Sequence, residues 1–333
     1  VKKILFAVLA LCFLVSCNSH KEPEIAFYYW KTVFKLSPGE REVLKENDVK
    51  KIYIRYFDVD IDKNNQPFPL APIHFKEKIN ALTVVPVVYI KNKVMLNQSL
   101  DVALLARKIF DFVIKINATN QISCQEIQID CDWTLESKDN YMKFIEVFKS
   151  ISRKKLSATI RLHQIKYFNK TKIPAVDCGV LMYYNMGKIA PDSLNSIYDR
   201  KIASKYLHSL EKYPLKLNLA LPVYSWAVHI RDQKVIGLKP KIDYKSLEKD
   251  TNFTAKMNLF FVANNSNYKG GTFYKRHDVL KIERVTAQQI KDMSADLESH
   301  MNTYPKEIIF YDLDEINLSH YEKNIFKQAV ARF

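Results

Sequence analysis

Eight segments of this chain carry one recurring pattern, β-branched and aromatic residues in a short run, and most of them are followed by a stretch with helical spacing. In chain order they are EIAFYYWK (Glu24 to Lys31), IYIRYFDVD (Ile52 to Asp60), VVPVVYI (Val84 to Ile90), EIQIDCDWT (Glu126 to Thr134), SATIRLHQIKY (Ser157 to Tyr167), GVLMYYNMG (Gly179 to Gly187), LNLALPVYSW (Leu217 to Trp226) and EIIFYDLDEIN (Glu307 to Asn317). Alternating strand and helix signals argue for a parallel sheet with helical crossovers. Between the strands, Ser37, Pro38 and Glu40 occupy the cap, first-turn and capping-box positions of a helix start. Asp101 stands before an apolar stripe of Leu104, Leu105, Ile109, Phe112, Val113 and Ile116. Further helices are expected near 138–153, 198–212 and 286–302, and from Ser319 onward.

Eight such units predict a closed (β/α)8 TIM barrel, which needs about 250 residues or more with insertions. The competing fold is a doubly wound open sheet, whose phosphate-binding turn needs closely spaced glycines. The chain has 6 glycines in 333 residues, and they assemble neither a dinucleotide fingerprint nor a P-loop. His-Glu-x-x-His, Cys-x-x-Cys and Gly-x-Ser-x-Gly are also missing, which argues against zincins, zinc ribbons and elbow-type serine hydrolases. After the seventh strand an extra segment, about 232–285, reads as a β-rich insertion over one end of the barrel.

At the N-terminus, Lys2 and Lys3 precede an apolar run from Ile4 to Val15. That run is shorter than the roughly 20 residues a membrane-spanning helix takes, and it has the layout of a secretory signal. Leu14-Val15-Ser16-Cys17 resembles a bacterial lipobox. The resemblance implies a signal peptide over 1–16, a lipidated Cys17, a polar tether over 17–23 and a barrel over 24–333. No other apolar stretch is long enough to span a bilayer. Removal of Lys2 and Lys3 takes the formal charge from +15 to +13. Such a charge could favour an anionic polymer or a membrane surface. The lysines are scattered, however, and we read them as a solvated basic surface. Nucleic acid is not an expected partner of an exported lipoprotein. Cys124, Cys131 and Cys178 remain, an odd number that gives no disulfide framework.

Active sites of barrels of this kind lie at the C-terminal ends of the strands. In QIDCDWT, alternation places Gln128, Asp130, Asp132 and Thr134 toward the interior, and Ile129, Cys131 and Trp133 toward the helices. Asp130 and Asp132 are about 6.6 Å apart along a strand, so each raises the other's pKa in a poorly solvated mouth. Arg161 on the next strand offers the structural alternative, an ion pair. Thr159, Arg161 and His163 are expected on one face of that strand. His163 has no His-x-His or His-x-x-x-His partner, and neither a metal nor a cofactor is expected. Tyr184 (or Tyr183), Asn185, Tyr224 and Trp226 offer aromatic and amide surface suited to sugars. Asp312, Asp314 and Glu315 close the eighth strand, and Arg55 and Asp58 lie near the end of the second.

Taken together, QIDCDWT, SATIRLHQIKY, GVLMYYNMG and LALPVYSW resemble a family of bacterial barrel lipoproteins over about Glu24 to Phe333. More distantly, the chain resembles glycoside hydrolase family 18, the chitinase-type barrels. Asp130 and Asp132 match the two aspartates of that family's fourth-strand motif. Met182, Tyr184 and Asn185 match its sixth strand, and Pro222 and Tyr224 its seventh. The family's acid glutamate falls on Thr134, which cannot protonate a leaving oxygen near neutral pH. The resemblance implies substrate-assisted hydrolysis in the family, and the threonine puts that route in doubt here. Glu136 and Asp314 are the candidates for a displaced acid.

The expectation is therefore a lipid-anchored, monomeric barrel of the bacterial cell envelope with carbohydrate as its partner. Asp130 and Asp132, with Glu136 or Asp314, are its candidate catalytic groups. Arg55, Asp58, Arg161, His163, Tyr184, Asn185, Tyr224, Trp226 and Asp312 are its candidate binding groups. A glycosidase, a barrel that only binds glycan and a structural envelope lipoprotein are the three alternatives.

Overall fold

A computed structural model describes residues 22–333. The expected signal peptide over 1–16, Cys17 and most of the expected tether lie outside the described residues. Seven barrel strands come first: β1 (Glu24–Tyr29), β2 (Lys51–Ile61), β3 (Thr83–Ile90), β4 (Glu126–Asp130), β5 (Lys155–Arg161), β6 (Cys178–Met182) and β7 (Leu217–Pro222). The chain then builds a lobe from β8 (Ser225–Arg231), β9 (Lys234–Pro240), β10 (Phe253–Lys256), β11 (Phe260–Ala263) and β12 (Val279–Arg284), and returns for β13 (Glu307–Tyr311). Strands β1 to β7 and β13 are parallel and closed into a ring. Closure is visible at β1, where Phe27 faces Phe310 of β13 on one side and Ile52 of β2 on the other. The protein is thus an eight-stranded (β/α)8 TIM barrel with a β-rich insertion after its seventh strand.

Two helices start at the caps that the sequence marks. Helix α1 (Pro38–Glu46) carries the full capping box of Ser37 and Glu40. Helix α2 (Val102–Asn120) starts at Asp101, whose carboxylate accepts from the Leu104 N–H at 2.9 Å. It buries Leu105, Ile109, Val113 and Ile116 against the sheet, while Leu104 stays exposed. Helix α3 (Lys138–Ser152) buries Tyr141, Phe144, Ile145 and Phe148. Helices α4 (Leu162–Lys166), α5 (Arg200–Leu207), α6 (Ala287–Glu298) and α7 (Ile325–Val330) complete the set used below.

One crossover lacks a helix. Between β2 and β3 the chain turns at Asp62, whose carboxylate accepts from the Asn64 and Gln66 N–H groups at 2.8 Å each. It then runs back as a short antiparallel strand, Pro67–Leu70, beside the end of β2. Pro67, Pro69 and Pro72 in succession exclude a helix there.

The interior is polar at intervals, in the order that alternation predicts. On β4, Ile127 and Ile129 are fully buried toward the helices, and Glu126, Gln128 and Asp130 meet interior partners. Glu126 takes Lys155 at 2.6 Å and Ser157 at 2.7 Å. Gln128 accepts from Tyr28 Oη at 2.7 Å. Each inward polar group is thereby paired, as burial demands.

Strand-like composition overruns the strands. The fourth stops at Asp130, the fifth at Arg161, the sixth at Met182, the seventh at Pro222 and the eighth at Tyr311. Apolar and aromatic residues continue beyond these ends, among polar ones, because the loops that follow are packed. Trp133 shows this: it is fully buried, stacks on Tyr141 at 4.5 Å and donates to the Thr171 carbonyl at 3.1 Å. The insertion likewise begins at Ser225, earlier than about 232, since β8 pairs antiparallel with β12 directly after Tyr224. The lobe sheet runs β9-β8-β12-β11-β10. A separate hairpin turns at Gly270 and Gly271, both at positive φ (54° and 71°), a conformation that side chains resist.

Candidate active site

Two loops at the C-terminal ends of β4 and β5 are locked to each other before any ligand arrives. The Arg161 N–H donates to Gln164 Oε1 at 2.7 Å, and Gln164 Nε2 donates to the Trp133 carbonyl at 3.2 Å. This lock sets Arg161 beside Asp132, and Arg161 Nε donates to Asp132 Oδ1 at 2.5 Å. Asp130, the last residue of β4, takes its hydrogen bond from Thr159 Oγ1 at 2.6 Å. The two aspartates therefore live differently. Asp132 is partly exposed at the rim, and Asp130 is 5% exposed. Burial and the Asp132 charge push the Asp130 carboxyl up to about 7, against the pull of Arg161 and Thr159.

Across the mouth, Asp312 follows β13 and is buried. Asn317 Nδ2 donates to its Oδ1 at 2.8 Å. Burial pushes this carboxyl up to about 6; Lys241 opposes the shift and Asp314 reinforces it.

These groups share a cleft of about 440 Å³ with aromatic walls of Trp30, Tyr89, Tyr184, Tyr224, Trp226 and Tyr311. Tyr311 is the hub, with its ring 5.5 Å from those of Trp30, Tyr184 and Tyr224. Tyr224 Oη donates to Asn185 Oδ1 at 2.5 Å, and its ring meets Trp226 edge-on at 5.3 Å. Trp226 belongs to β8, so the lobe supplies one wall. Its indole N–H donates to Glu283 Oε2 at 2.7 Å, and Ser196 donates to the same carboxylate. Glu283 also pairs with Lys281 at 2.6 Å, and Lys281 Nζ donates to the Ala190 and Leu194 carbonyls at 2.9 Å each. This buried knot fastens the loop after β6 to the lobe and fixes the plane of Trp226.

Eight of the candidate catalytic and binding residues line this cleft, Asp130, Asp132, Arg161, Tyr184, Asn185, Tyr224, Trp226 and Asp312, and so does Met182 of the sixth-strand match. His163 does not share a strand face with Thr159 and Arg161, because β5 has ended and His163 sits exposed in α4. It lines an adjoining depression of about 220 Å³ together with Asp132, Arg161 and Asn185. Glu136 is exposed on the turn before α3, outside the residues that line either space. Asp314 is held by Lys241 at 2.8 Å and Lys31 at 3.2 Å, and it caps the helical turn Glu315–Leu318 through the Ile316 N–H. Arg55 and Asp58 pair with each other at 2.7 Å and do not line the cleft. The Thr134 N–H is tied to Ser137 Oγ at 2.9 Å, in the loop that leads to α3.

Sequence reasoning missed Trp30, Tyr89, Lys241, Tyr311 and Asn317. Trp30 and Tyr311 stand at strand ends and could have been read there. Lys241 arrives from the lobe, and nothing in the local sequence signals its destination. The described residues contain one group of three potential metal ligands, His208, Glu211 and His300, and it is not part of this cleft.

No protein-family model and no curated protein matches the sequence. Solved structures do resemble the fold. The Bacillus cereus spore cortex-lytic enzyme SleL superposes with a TM-score of 0.58 at 13% identity, over 94% of this chain and 75% of that one. The chitinase of Chromobacterium violaceum gives 0.55 at 13% identity, over 93% and 99%. A glycoside hydrolase family 18 chitinase from Cycas revoluta, solved in complex with (GlcNAc)3, gives 0.54 at 12% identity, over 93% and 99%. The chain thus shares the barrel fold of these solved structures.

Proposed function

We propose that the cleft at the C-terminal end of the barrel binds a carbohydrate chain, and that binding rather than family 18 hydrolysis is its task. The observation that carries this reading is the cleft itself. Aromatic rings form its walls, and carboxylates, a guanidinium and amides stand at its base. Sugars present apolar C–H faces to rings and hydroxyls to paired polar groups, and such a surface serves both. The bound (GlcNAc)3 of the Cycas revoluta chitinase supports an N-acetylglucosamine-containing glycan as the first ligand to try. Against family-type hydrolysis stand Thr134 at the position of the acid and the ion pair that occupies Asp132.

A second reading is favoured by one observation. Asp312 is, with Asp130, one of two buried carboxyls lining the cleft whose pKa is raised, in its case to about 6. A carboxylic acid still partly protonated near neutral pH suits general acid work. In that reading Asp312 takes the role that Glu136 and Asp314 were expected to fill.

By the same proposal the protein is a monomeric lipoprotein of the bacterial cell envelope, lipidated at Cys17. A single acyl chain anchors only marginally, so stable attachment depends on the several chains of a modified cysteine. Cys17→Ser should move the protein out of the membrane fraction, and retention there would refute the anchor.

The functional test is a glycan-library screen of protein lacking residues 1–17, followed by assay of reducing ends on every glycan that binds. Binding without new reducing ends supports the binding barrel. Cleavage that Asp312→Asn abolishes while binding persists supports the hydrolase. A folded protein that binds no glycan refutes both.

A further inference from the structure

We propose that His208, Glu211 and His300 form a binding site for a divalent transition-metal ion of the zinc class, which clips the end of α5 to the end of α6. One ligand atom from each of the three residues lies within 4.8 Å of the others. His208 Nδ1 is 3.6 Å from Glu211 Oε1, and the two imidazole rings are 5.2 Å apart. His208 and Glu211 come from one turn, and His300 comes from the far side of the lobe in sequence. Their meeting is therefore a product of tertiary packing.

Three features prepare the site. First, His300 Nδ1 is bonded to the Asp296 carbonyl at 2.8 Å. A carbonyl only accepts, so Nδ1 carries the proton and Nε2 keeps its lone pair for a metal. Ligating histidines are usually held in this way. Second, the two segments are already joined on both sides of the cluster. Arg200 grips Asp296 through bonds of 2.9 and 2.6 Å, and Asn302 Nδ2 donates to the Glu211 carbonyl. Third, His208 is the C-cap residue of α5, and His300 lies just past the C-cap of α6. Free carbonyls at helix C-termini favour a cation.

Two imidazoles and a carboxylate suit zinc, cobalt, nickel or copper, and not magnesium or calcium, which prefer oxygen throughout. Metal–nitrogen bonds of about 2.0–2.1 Å place tetrahedral ligand atoms a little over 3 Å apart. His208 and Glu211 are exposed enough to close the remaining gap by rotamer changes. The helices run antiparallel to the strands, so this site lies at the end of the barrel opposite the cleft, and it stands independently of the carbohydrate reading.

The test uses the full chain in mild detergent, stripped of metal, titrated calorimetrically with Zn²⁺ and spectroscopically with Co²⁺. We expect one Zn²⁺ per chain, a rise in melting temperature on loading, and a cobalt spectrum without thiolate charge transfer. His208→Ala and His300→Ala should each weaken Zn²⁺ binding by about tenfold or more, with melting unchanged in the absence of metal. Glu211→Gln provides a milder variant that preserves shape. Absence of Zn²⁺ binding overturns the proposal. So does binding that both histidine variants retain, or a thiolate charge-transfer band that places the metal on the cysteines.

Discussion

Arg161 Nε donates to Asp132 Oδ1 at 2.5 Å, while Asp130, two residues earlier, is left to the hydroxyl of Thr159 at 2.6 Å. One cation thus compensates the rim carboxylate directly and the buried one only through space. The stability of the cleft depends on that division.

Removing the cation should be the costlier change. Breaking a fully buried pair costs about 3–5 kcal/mol, and a surface pair contributes about 0–1 kcal/mol. The Arg161 and Asp132 side chains are 20% and 38% exposed, so Arg161→Met should fall between these limits, at about 2 kcal/mol. Asp132→Asn keeps the shape and a hydrogen-bond acceptor and should cost about 1 kcal/mol or less. Denaturant unfolding of both variants at neutral pH measures the difference. Equal losses would mean that Arg161 does nothing for Asp130.

Asp130 should make stability depend on pH. Its folded-state carboxyl titrates near 7, above the value of about 3.9 expected in the unfolded chain. Between these values the folded state holds more protons than the unfolded state, so stability falls as pH rises from about 4 to 7 and stays low above. Asp130→Asn removes that penalty. The variant should match its parent near pH 4 and exceed it at pH 8, by up to about 4 kcal/mol. Melting temperatures across the pH range decide the matter, and a variant less stable than its parent at pH 8 would contradict the assignment. Asp312, raised to about 6, contributes a smaller slope of the same sign.

Lys281 is the cation of a buried knot, with its side chain 3% exposed. Lys281→Met leaves Glu283 buried with only Ser196 and Trp226 as donors. It should cost about 3 kcal/mol and release the Ala190 and Leu194 carbonyls. Hydrogen exchange should then quicken over about residues 186–198 and in β12 before it changes in β4. Uniform exchange would show that the lobe and the barrel do not depend on this contact.

The barrel and the cleft's charged core were legible because local rules reach that far. Alternation alone turned Asp130 inward, and the caps at Ser37 and Asp101 needed no tertiary information. The strand ends were not legible, because a buried loop residue such as Trp133 has the same composition as a strand residue. His163 was misplaced for that reason: the strand ends at Arg161 and a short helix begins. Lys241 reaches the cleft through the antiparallel pairing of β8 with β9, which a period-two pattern does not encode. Asp314 looked available from sequence, and it is engaged because Lys241 and Lys31 converge on it from distant segments.

Calorimetric titration of N-acetylglucosamine oligosaccharides into the parent protein and into Trp226→Ala and Tyr311→Ala tests whether the cleft holds a glycan against its aromatic walls. Burying an aromatic face against a ligand contributes about 1–2 kcal/mol, so each variant should bind about tenfold more weakly than the parent while remaining folded. Saturable binding by the parent with that loss in both variants is the predicted result. A folded parent that binds no glycan, or variants that bind as tightly as the parent, would contradict the account.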